Sequence, residues 1–238
     1  MDGYLAVPPG RGHLAAVVYL HGSGGGRGEL LVPAVWLGGR RAVGLTITAP
    51  SSAAGPEPSG LTPSQSLARE RRLAVADVIA VRRAVDLLRS LPQVDPRRIG
   101  FVGWSLGARI GAILAGVEPR IRAFVLMSGG ATPVSTYVAR APAALRPEVR
   151  RALTAIDPLR WFARARPGTI LLEDGRKDAV VPRSALLALA RAAPRGTALR
   201  WYPAPHDLSA AAYRDQLDWL ARKLAIHGPA VPGTKTGP

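Results

Sequence analysis

A serine lies between two glycines in Gly103-Trp104-Ser105-Leu106-Gly107, which fits the pattern G-x-S-x-G. An apolar run ends at Gly103 and a helical pattern starts at Leu106, so the segment is predicted to be a strand, a tight turn and a helix. Such a turn places the serine hydroxyl at the end of a sheet, beside a helix N-terminus. The spacing predicts a nucleophile at Ser105, and a helix-capping serine on an ordinary loop is the alternative.

A serine hydroxyl needs a neighbouring base to become a nucleophile, and histidine is the usual one. The sequence has four histidines, His13, His21, His206 and His227. Only His206 lies just after a predicted strand and just before the last predicted helix, so it shares the carboxyl edge of the sheet with Ser105. We predict His206 as the base. The alternative is a surface histidine or a partner for a helix end.

A carboxylate that orients the histidine should lie at the same edge of the sheet. Three acids follow or end the fifth predicted strand, namely Glu173, Asp174 and Asp178. Glu173 is predicted to lie within the strand and Asp174 just before the turn. Asp207 is adjacent to the base and badly placed to bind its ring. We predict Asp178, and an exposed acid paired with Arg176 is the alternative.

The glycine-rich segment at 21–28, HGSGGGRG, follows the first predicted buried strand. It lacks the Gly-Lys-Ser/Thr of a Walker loop and misses G-x-G-x-x-G, and the next strand carries no acid for a ribose. A nucleotide site is therefore the weaker interpretation. Backbone N–H groups of such a loop can instead stabilise the oxyanion that forms in acyl transfer. His21 is expected to tie the loop down rather than act as a second base.

Short apolar runs alternate with helical patterns along the chain. Strands are predicted at 15–20, 43–48, 98–103, 123–127, 169–173 and 198–202. A long helix is predicted from about Pro63 to Pro92, with its apolar face at 74–88, and further helices at about 106–115, 183–193 and 208–226. Loops are expected at 50–63, and loops with short helices at 131–166. The alternation predicts an α/β fold, a mostly parallel doubly wound sheet with helices on both faces and no large lid domain. Ligands of such sheets bind at the carboxyl ends of the strands.

Length and composition limit the remaining possibilities. The 238 residues favour one domain over residues 1–226, with a flexible Gly/Pro-rich tail at 227–238. The sequence has no cysteine, which excludes disulfides, thiol chemistry and cysteine zinc sites. No leader pattern and no apolar stretch of about 18 residues is present, so a cytoplasmic protein without a membrane span is expected.

The net charge is +16, from 32 basic and 16 acidic residues. The arginines are scattered rather than gathered in a block, so we expect no specific nucleic-acid binding. The field should nevertheless favour anionic small molecules. Sequence leaves a monomer or a homodimer equally open.

Four segments together resemble the α/β-hydrolase superfamily, especially its small single-domain enzymes similar to dienelactone hydrolases and to the catalytic domains of prolyl oligopeptidases. The segments, within about residues 14–226, are Leu20-His21-Gly22-Ser23-Gly24-Gly25, Gly103-Trp104-Ser105-Leu106-Gly107, Gly175-Arg176-Lys177-Asp178 and Pro205-His206-Asp207. The order Ser, Asp, His also matches that superfamily. One departure is that dienelactone hydrolase uses a cysteine nucleophile, which this sequence lacks.

The resemblance implies Ser105 as nucleophile, Asp178 as orienting acid and His206 as base. It further implies an oxyanion hole formed by the backbone N–H groups of Ser23 and Leu106, with Gly24 as an alternative to Ser23. The expected function is that of a carboxylesterase acting on small or exposed acyl esters, without metal or cofactor. A peptidase, thioesterase or acyltransferase would use the same residues. From other classes, a catalytically idle binding protein and a nucleic-acid binder are the alternatives.

Overall fold

A seven-stranded sheet crosses the protein in the computed structural model, which describes residues 2–9 and 12–227. The strands are β1 (Gly3–Ala6), β2 (Leu14–Leu20), β3 (Val43–Ile47), β4 (Val94–Trp104), β5 (Ile121–Met127), β6 (Ile170–Gly175) and β7 (Ala198–Tyr202). Their order is β1-β3-β2-β4-β5-β6-β7. Strand β1 is antiparallel to β3, and the other neighbours are parallel.

The central strands are buried on both faces. All seven residues of β2 are buried, and alternate side chains enter two different apolar cores. Val18 and Leu20 belong to one core, and Val17 and Tyr19 to the other. Continuous apolar strands of this kind are typical of parallel sheets covered by helices on both sides.

Helices cover the sheet on both faces, as predicted. One core includes side chains of α3 (Pro63–Ser90), α4 (Leu106–Val117), α7 (Pro158–Phe162) and α8 (Arg183–Ala192), and the other includes α1 (Leu31–Gly39) and α9 (Ala210–Leu224). A third, small cluster joins α5 (Val134–Arg140) and α6 (Arg146–Ala155) to α4. A 3-10 turn at Ala143–Leu145 and α2 (Pro50–Ala53) complete the described helices.

The structure departs from the predicted elements at three places. Strand β1 was not predicted, because it has four residues on an exposed edge and no clear alternation. The predicted loop at 50–63 contains α2, and α1 at Leu31–Gly39 was not predicted. Helix α3 begins at Pro63, where the predicted long helix follows that loop. The α3 start has a sequence signal, since Thr62 and Gln65 form a capping box through reciprocal side-chain bonds. Of the predicted tail, residues 228–238 lie outside the described residues.

Two glycines within helices provide a test of this packing. A methyl group at Gly116 of α4 would lie 2.1 Å from the Trp161 carbonyl oxygen of α7, whereas nothing lies within 4 Å of one at Gly38 of α1. We expect Gly116→Ala to lower the free energy of unfolding by roughly 1–3 kcal/mol through overpacking. Gly38→Ala should raise it by about 0.5–1 kcal/mol through helix propensity. Urea unfolding of both variants measures this, and a stabilised Gly116→Ala would contradict the helix contact.

Candidate active site

Ser105 occupies a strained turn between β4 and α4. Its backbone has φ 54° and ψ −109°, and positive φ costs a non-glycine residue about 1–3 kcal/mol. The Ser105 N–H donates to the Met127 carbonyl of β5 at 2.8 Å, which anchors the turn. The strand–turn–helix predicted from G-x-S-x-G is therefore formed.

The two glycines of the motif allow backbones to cross at contact distance. A methyl group at Gly103 would lie 2.3 Å from the backbone of Gly107, and one at Gly107 would lie 2.1 Å from the Leu20 carbonyl oxygen. The Gly107 N–H also donates to the His21 carbonyl at 3.1 Å. Helix α4 thus begins directly against the end of β2, and the turn at Ser105 is brought close to the glycine-rich loop.

His206 and Asp178 form the acid–base pair that the sequence predicts. The distance from His206 Nδ1 to Asp178 Oδ2 is 2.8 Å, and the Asp178 side chain is 1% exposed. The other carboxylate oxygen accepts the N–H groups of Val180 at 2.8 Å and Val181 at 2.9 Å. An ionised carboxylate can only accept hydrogen bonds, so this contact requires a His206 proton on Nδ1 and leaves Nε2 available as a base.

The loop after β7 crosses the sheet edge to reach the Ser105 turn. Strand β7 is three strands from β4, a separation of roughly 14 Å at the usual strand spacing. The His206 carbonyl accepts two side-chain hydrogen bonds, from Trp104 Nε1 at 3.1 Å and from Ser128 Oγ at 2.7 Å. The Trp104 and His206 rings are also 5.1 Å apart. These contacts hold His206 beside the residue that precedes Ser105.

The Ser105 hydroxyl is the third predicted catalytic group, and it is not hydrogen-bonded to His206. Within residues 2–9 and 12–227, the Asp178–His206 bond is formed, whereas none joins Ser105 Oγ to His206. Such bonds are often long in proteins without substrate and tighten when substrate binds. Asp207 is exposed beside the histidine, and Asp174 is buried without a bond to it, so the structure pairs His206 with the acid that the sequence favours.

The glycine-rich loop turns sharply beside Ser105. The Gly25 N–H donates to the Gly22 carbonyl at 3.2 Å, and Gly24 has φ 73°, which a glycine adopts without strain. In such a turn the N–H groups of Ser23 and Gly24 take no part in the closing bond. Ser23, Gly24 and Leu106 all line one cavity, and Leu106 begins α4, where N–H groups lack intrahelical acceptors. Either loop residue could face an oxyanion together with Leu106.

Two side chains hold this loop, the buried His21 and the exposed Glu29. His21 Nδ1 donates to the Gly22 carbonyl at 2.6 Å, and its Nε2 accepts the Ala49 N–H at 2.9 Å. Both ring nitrogens are therefore used by the backbone, in agreement with the structural role expected for His21. The Glu29 carboxylate accepts the Gly22 N–H at 2.8 Å. The Glu29 contact has no signal in the sequence, because an acid in a loop has no distinguishing pattern.

Two cavities flank the N-terminus of α4. The larger, of about 760 Å³, is lined by Ser23, Gly24 and Leu106 together with residues of α2 and α3. The smaller, of about 180 Å³, is lined by residues after β5 and by the Asp178 loop, including Gly130, Tyr137 and Val181. A substrate carbonyl held between Ser105 and the glycine-rich loop could extend its two substituents into these cavities.

Buried acids lie beneath the Asp178 loop at the end of β6. Burial raises the pKa of Asp174 to about 7, with the nearby Asp178 charge adding to the effect. Burial also raises the pKa of Glu173 to about 8. The Tyr202 hydroxyl lies 2.8 Å from Glu173 Oε1 and 2.6 Å from Asp215 Oδ2. One hydroxyl proton serves only one acceptor, so a neutral Glu173 can donate to Tyr202, which donates to Asp215.

The raised pKa of Glu173 predicts a pH-dependent stability. The native carboxyl keeps its proton up to about pH 8, whereas an unfolded glutamate loses it near pH 4.3. The native state binds more protons between these values, so the free energy of unfolding should fall as pH rises through this window. Glu173→Gln should flatten the fall, leaving the part due to Asp174. Urea unfolding from pH 5 to 8 measures it, and equal slopes for both proteins would refute the neutral Glu173.

Within residues 2–9 and 12–227, no group of three or more histidine and acidic side chains is arranged to hold a metal ion. Over the same ranges, none of the helices has the length and apolar character needed to cross a bilayer.

Comparison with known proteins adds the following similarities. Residues 81–156 match the family model described as BAAT / Acyl-CoA thioester hydrolase C terminal. No curated protein sequence matches the chain. Among solved structures, the acetyl xylan esterase from Paenibacillus sp. R4 is similar with a TM-score of 0.74 and 20% identity, over 93% of this chain and 79% of that one.

Two further structures extend the comparison. Est1E from Butyrivibrio proteoclasticus has a TM-score of 0.70 and 15% identity, over 94% of each chain. The acylaminoacyl peptidase of Pyrococcus horikoshii has a TM-score of 0.70 and 16% identity, over 96% of this chain and 40% of that one. Together with the parallel sheet and the strained serine turn, these similarities show that the chain has the fold of the α/β-hydrolase superfamily.

Proposed function

We propose that this protein is a serine hydrolase, a carboxylesterase that cleaves small or exposed acyl esters through an acyl-enzyme on Ser105. The observation that carries the proposal is the buried Asp178–His206 pair held against the strained Ser105 turn. Strain at Ser105 and a histidine whose Nε2 is left basic are what nucleophilic catalysis by serine requires. The esterase names of similar structures, Est1E and the acetyl xylan esterase, support the same class.

In the proposed reaction, Ser105 Oγ attacks the ester carbonyl carbon while His206 Nε2 takes the hydroxyl proton. The carbonyl electron pair moves onto oxygen, where the N–H groups of Leu106 and of Ser23 or Gly24 stabilise the charge. Collapse expels the alcohol, which receives the proton from His206. Water then attacks the acyl-enzyme with His206 as base, and the acid leaves with Ser105 restored.

Asp178 acts on the orientation of the histidine in this mechanism. Its Oδ2 accepts the Nδ1 proton, while the N–H groups of Val180 and Val181 fix the carboxylate itself. The imidazolium that forms in the transition state lies against this buried negative charge, which stabilises it.

A thioesterase is the second candidate, because residues 81–156 match a family model that includes acyl-CoA thioester hydrolases. The same residues would attack a thioester, so the two activities differ only in the leaving group. Comparing acetyl-CoA with p-nitrophenyl acetate distinguishes them. A kcat/KM that is higher for the thioester would replace the carboxylesterase proposal.

Removal of the reacting groups tests the proposal. Ser105→Ala and His206→Ala should each lower kcat for p-nitrophenyl acetate by about 10⁴-fold or more, because the residues act as a unit. Asp178→Asn should lower it by about 10³–10⁴-fold through the wrong histidine tautomer. His13→Ala, at an exposed histidine, is the matched control and should keep full activity.

Labelling gives the second measurement. A fluorophosphonate should label the wild type at Ser105 and leave Ser105→Ala unlabelled. Wild-type protein that neither hydrolyses the ester nor takes the label would instead indicate a binding protein without catalysis.

Glu29 is expected to position the oxyanion loop without touching substrate. Glu29→Ala removes the acceptor of the Gly22 N–H and should lower kcat by about tenfold with little change in KM, since a misplaced donor acts mainly on the transition state. Glu29→Gln keeps an acceptor oxygen and should restore most of the rate. Steady-state kinetics on p-nitrophenyl acetate measures both, and equal losses in the two variants would show that the charge rather than the hydrogen bond matters.

A further inference from the structure

The end of β5 contacts the three segments that carry the predicted catalytic groups. The Met127 carbonyl accepts the Ser105 N–H at 2.8 Å. The Ser128 N–H donates to the Glu173 carbonyl of β6 at 2.7 Å, and the Ser128 hydroxyl donates to the His206 carbonyl, also at 2.7 Å. Two consecutive residues therefore join the serine turn, the strand that leads to the orienting acid and the loop that carries the base.

The backbone of Ser128 has a conformation that strains a serine and would not strain a glycine. Its φ is 50°, in the left-handed region, and the residue is 0% exposed. A glycine at this position would adopt the same backbone without strain. What the serine adds is its hydroxyl and the hydrogen bond that the hydroxyl donates. Strained residues of this kind are concentrated at functional sites.

The His206 carbonyl is held by side chains because of the turn in which it lies. The Leu208 N–H donates to the Pro205 carbonyl at 3.2 Å and closes this turn without the His206 carbonyl. That carbonyl instead accepts from the Ser128 hydroxyl at 2.7 Å and from Trp104 Nε1 at 3.1 Å. The imidazole is fixed separately, through Nδ1, by the buried carboxylate of the orienting acid. A fixed carbonyl and a fixed Nδ1 together determine where Nε2 points.

We propose that Ser128 is a positioning residue, whose hydroxyl sets the position of the His206 base relative to Ser105. Ser128 has no exposed surface, so it acts through His206 and not on the substrate. Its own backbone is bonded to β6, and its neighbour Met127 anchors the serine turn. The hydroxyl thus ties the histidine loop to the same strands that hold the other two groups. This proposal rests on the proposed serine mechanism and adds a residue to it.

Two substitutions at position 128 separate positioning from a merely structural role. Ser128→Ala removes the hydroxyl and keeps the strain, whereas Ser128→Gly removes both, so Ser128→Gly should unfold at a higher urea concentration than Ser128→Ala. Both should nevertheless lower kcat for p-nitrophenyl acetate by about 10- to 100-fold, since a displacement of about 1 Å can cost this much. KM should change little, because the contacts with substrate remain.

The rate of labelling by a fluorophosphonate gives a second readout, because it depends on the same serine and histidine. This rate should fall in parallel with kcat in both variants. Ser64→Ala is the matched control, since the Ser64 hydroxyl also donates at 2.7 Å, to Glu148, between α3 and α6. The control should keep the wild-type kcat and labelling rate.

A double variant tests whether Ser128 and Trp104 act on the same carbonyl. Trp104→Phe keeps an aromatic ring beside His206 and removes the indole donor. Combined with Ser128→Ala, it should lower kcat by more than the product of the two single losses, because each donor partly compensates for the other. Trp161→Phe, which removes a donor to the Ala155 carbonyl at 3.0 Å, is the control and should give only the product. A simple product with Trp104→Phe would contradict a shared role at the His206 carbonyl.

The opposite results overturn the proposal. Wild-type kcat in both variants of Ser128 would show that the hydroxyl does not position the base. A rate restored in Ser128→Gly would assign the effect to backbone strain, and a change confined to KM would assign it to substrate binding. If one variant does not fold, the other decides by its kcat and KM. Failure of the function itself is separate, because a wild type that neither turns over the ester nor takes the label would overturn the serine mechanism and this proposal together.

Discussion

The site depends on one close backbone crossing, where the start of α4 lies against the end of β2. Side chains are excluded there, since a methyl group at Gly107 would come within 2.1 Å of the Leu20 carbonyl oxygen. The crossing has two consequences. It imposes positive φ on Ser105, and it brings the glycine-rich loop after β2 beside that serine. The Ser105 turn and the glycine-rich loop are therefore held together by the same contact.

The loops that carry Asp178 and His206 reach this crossing from strands β6 and β7, which lie beyond β5 in the sheet. Strand β7 lies three strands away, and the loop that follows it is fixed by hydrogen bonds from Trp104 and Ser128 to the His206 carbonyl. Trp104 precedes Ser105 in sequence, so the residue next to Ser105 also holds the His206 loop in place. The strained serine and the histidine from a remote strand are thereby fixed relative to each other, as the proposed mechanism requires.

Charge in this protein has to be considered at two scales. The net charge of +16 describes the surface and its attraction for polyanions. The lining of the larger cavity has residues of both charge signs, namely Glu57, Arg69, Glu70, Asp77 and Arg109. Such local charges act at short range, whereas the diffuse field of the scattered arginines is screened by salt over about 10 Å.

The sequence by itself determined the alternation of strands and helices and the candidates at 105, 178 and 206, because apolar periodicity and motif spacing are local properties. It could not predict β1, whose short exposed strand has no periodic signal. Only the tertiary structure decided the pairing of His206 with Asp178 and the support of the glycine-rich loop by Glu29. Each of these joins residues distant in sequence or hidden in a loop, and such contacts exist only once the sheet has set the distances between its strands.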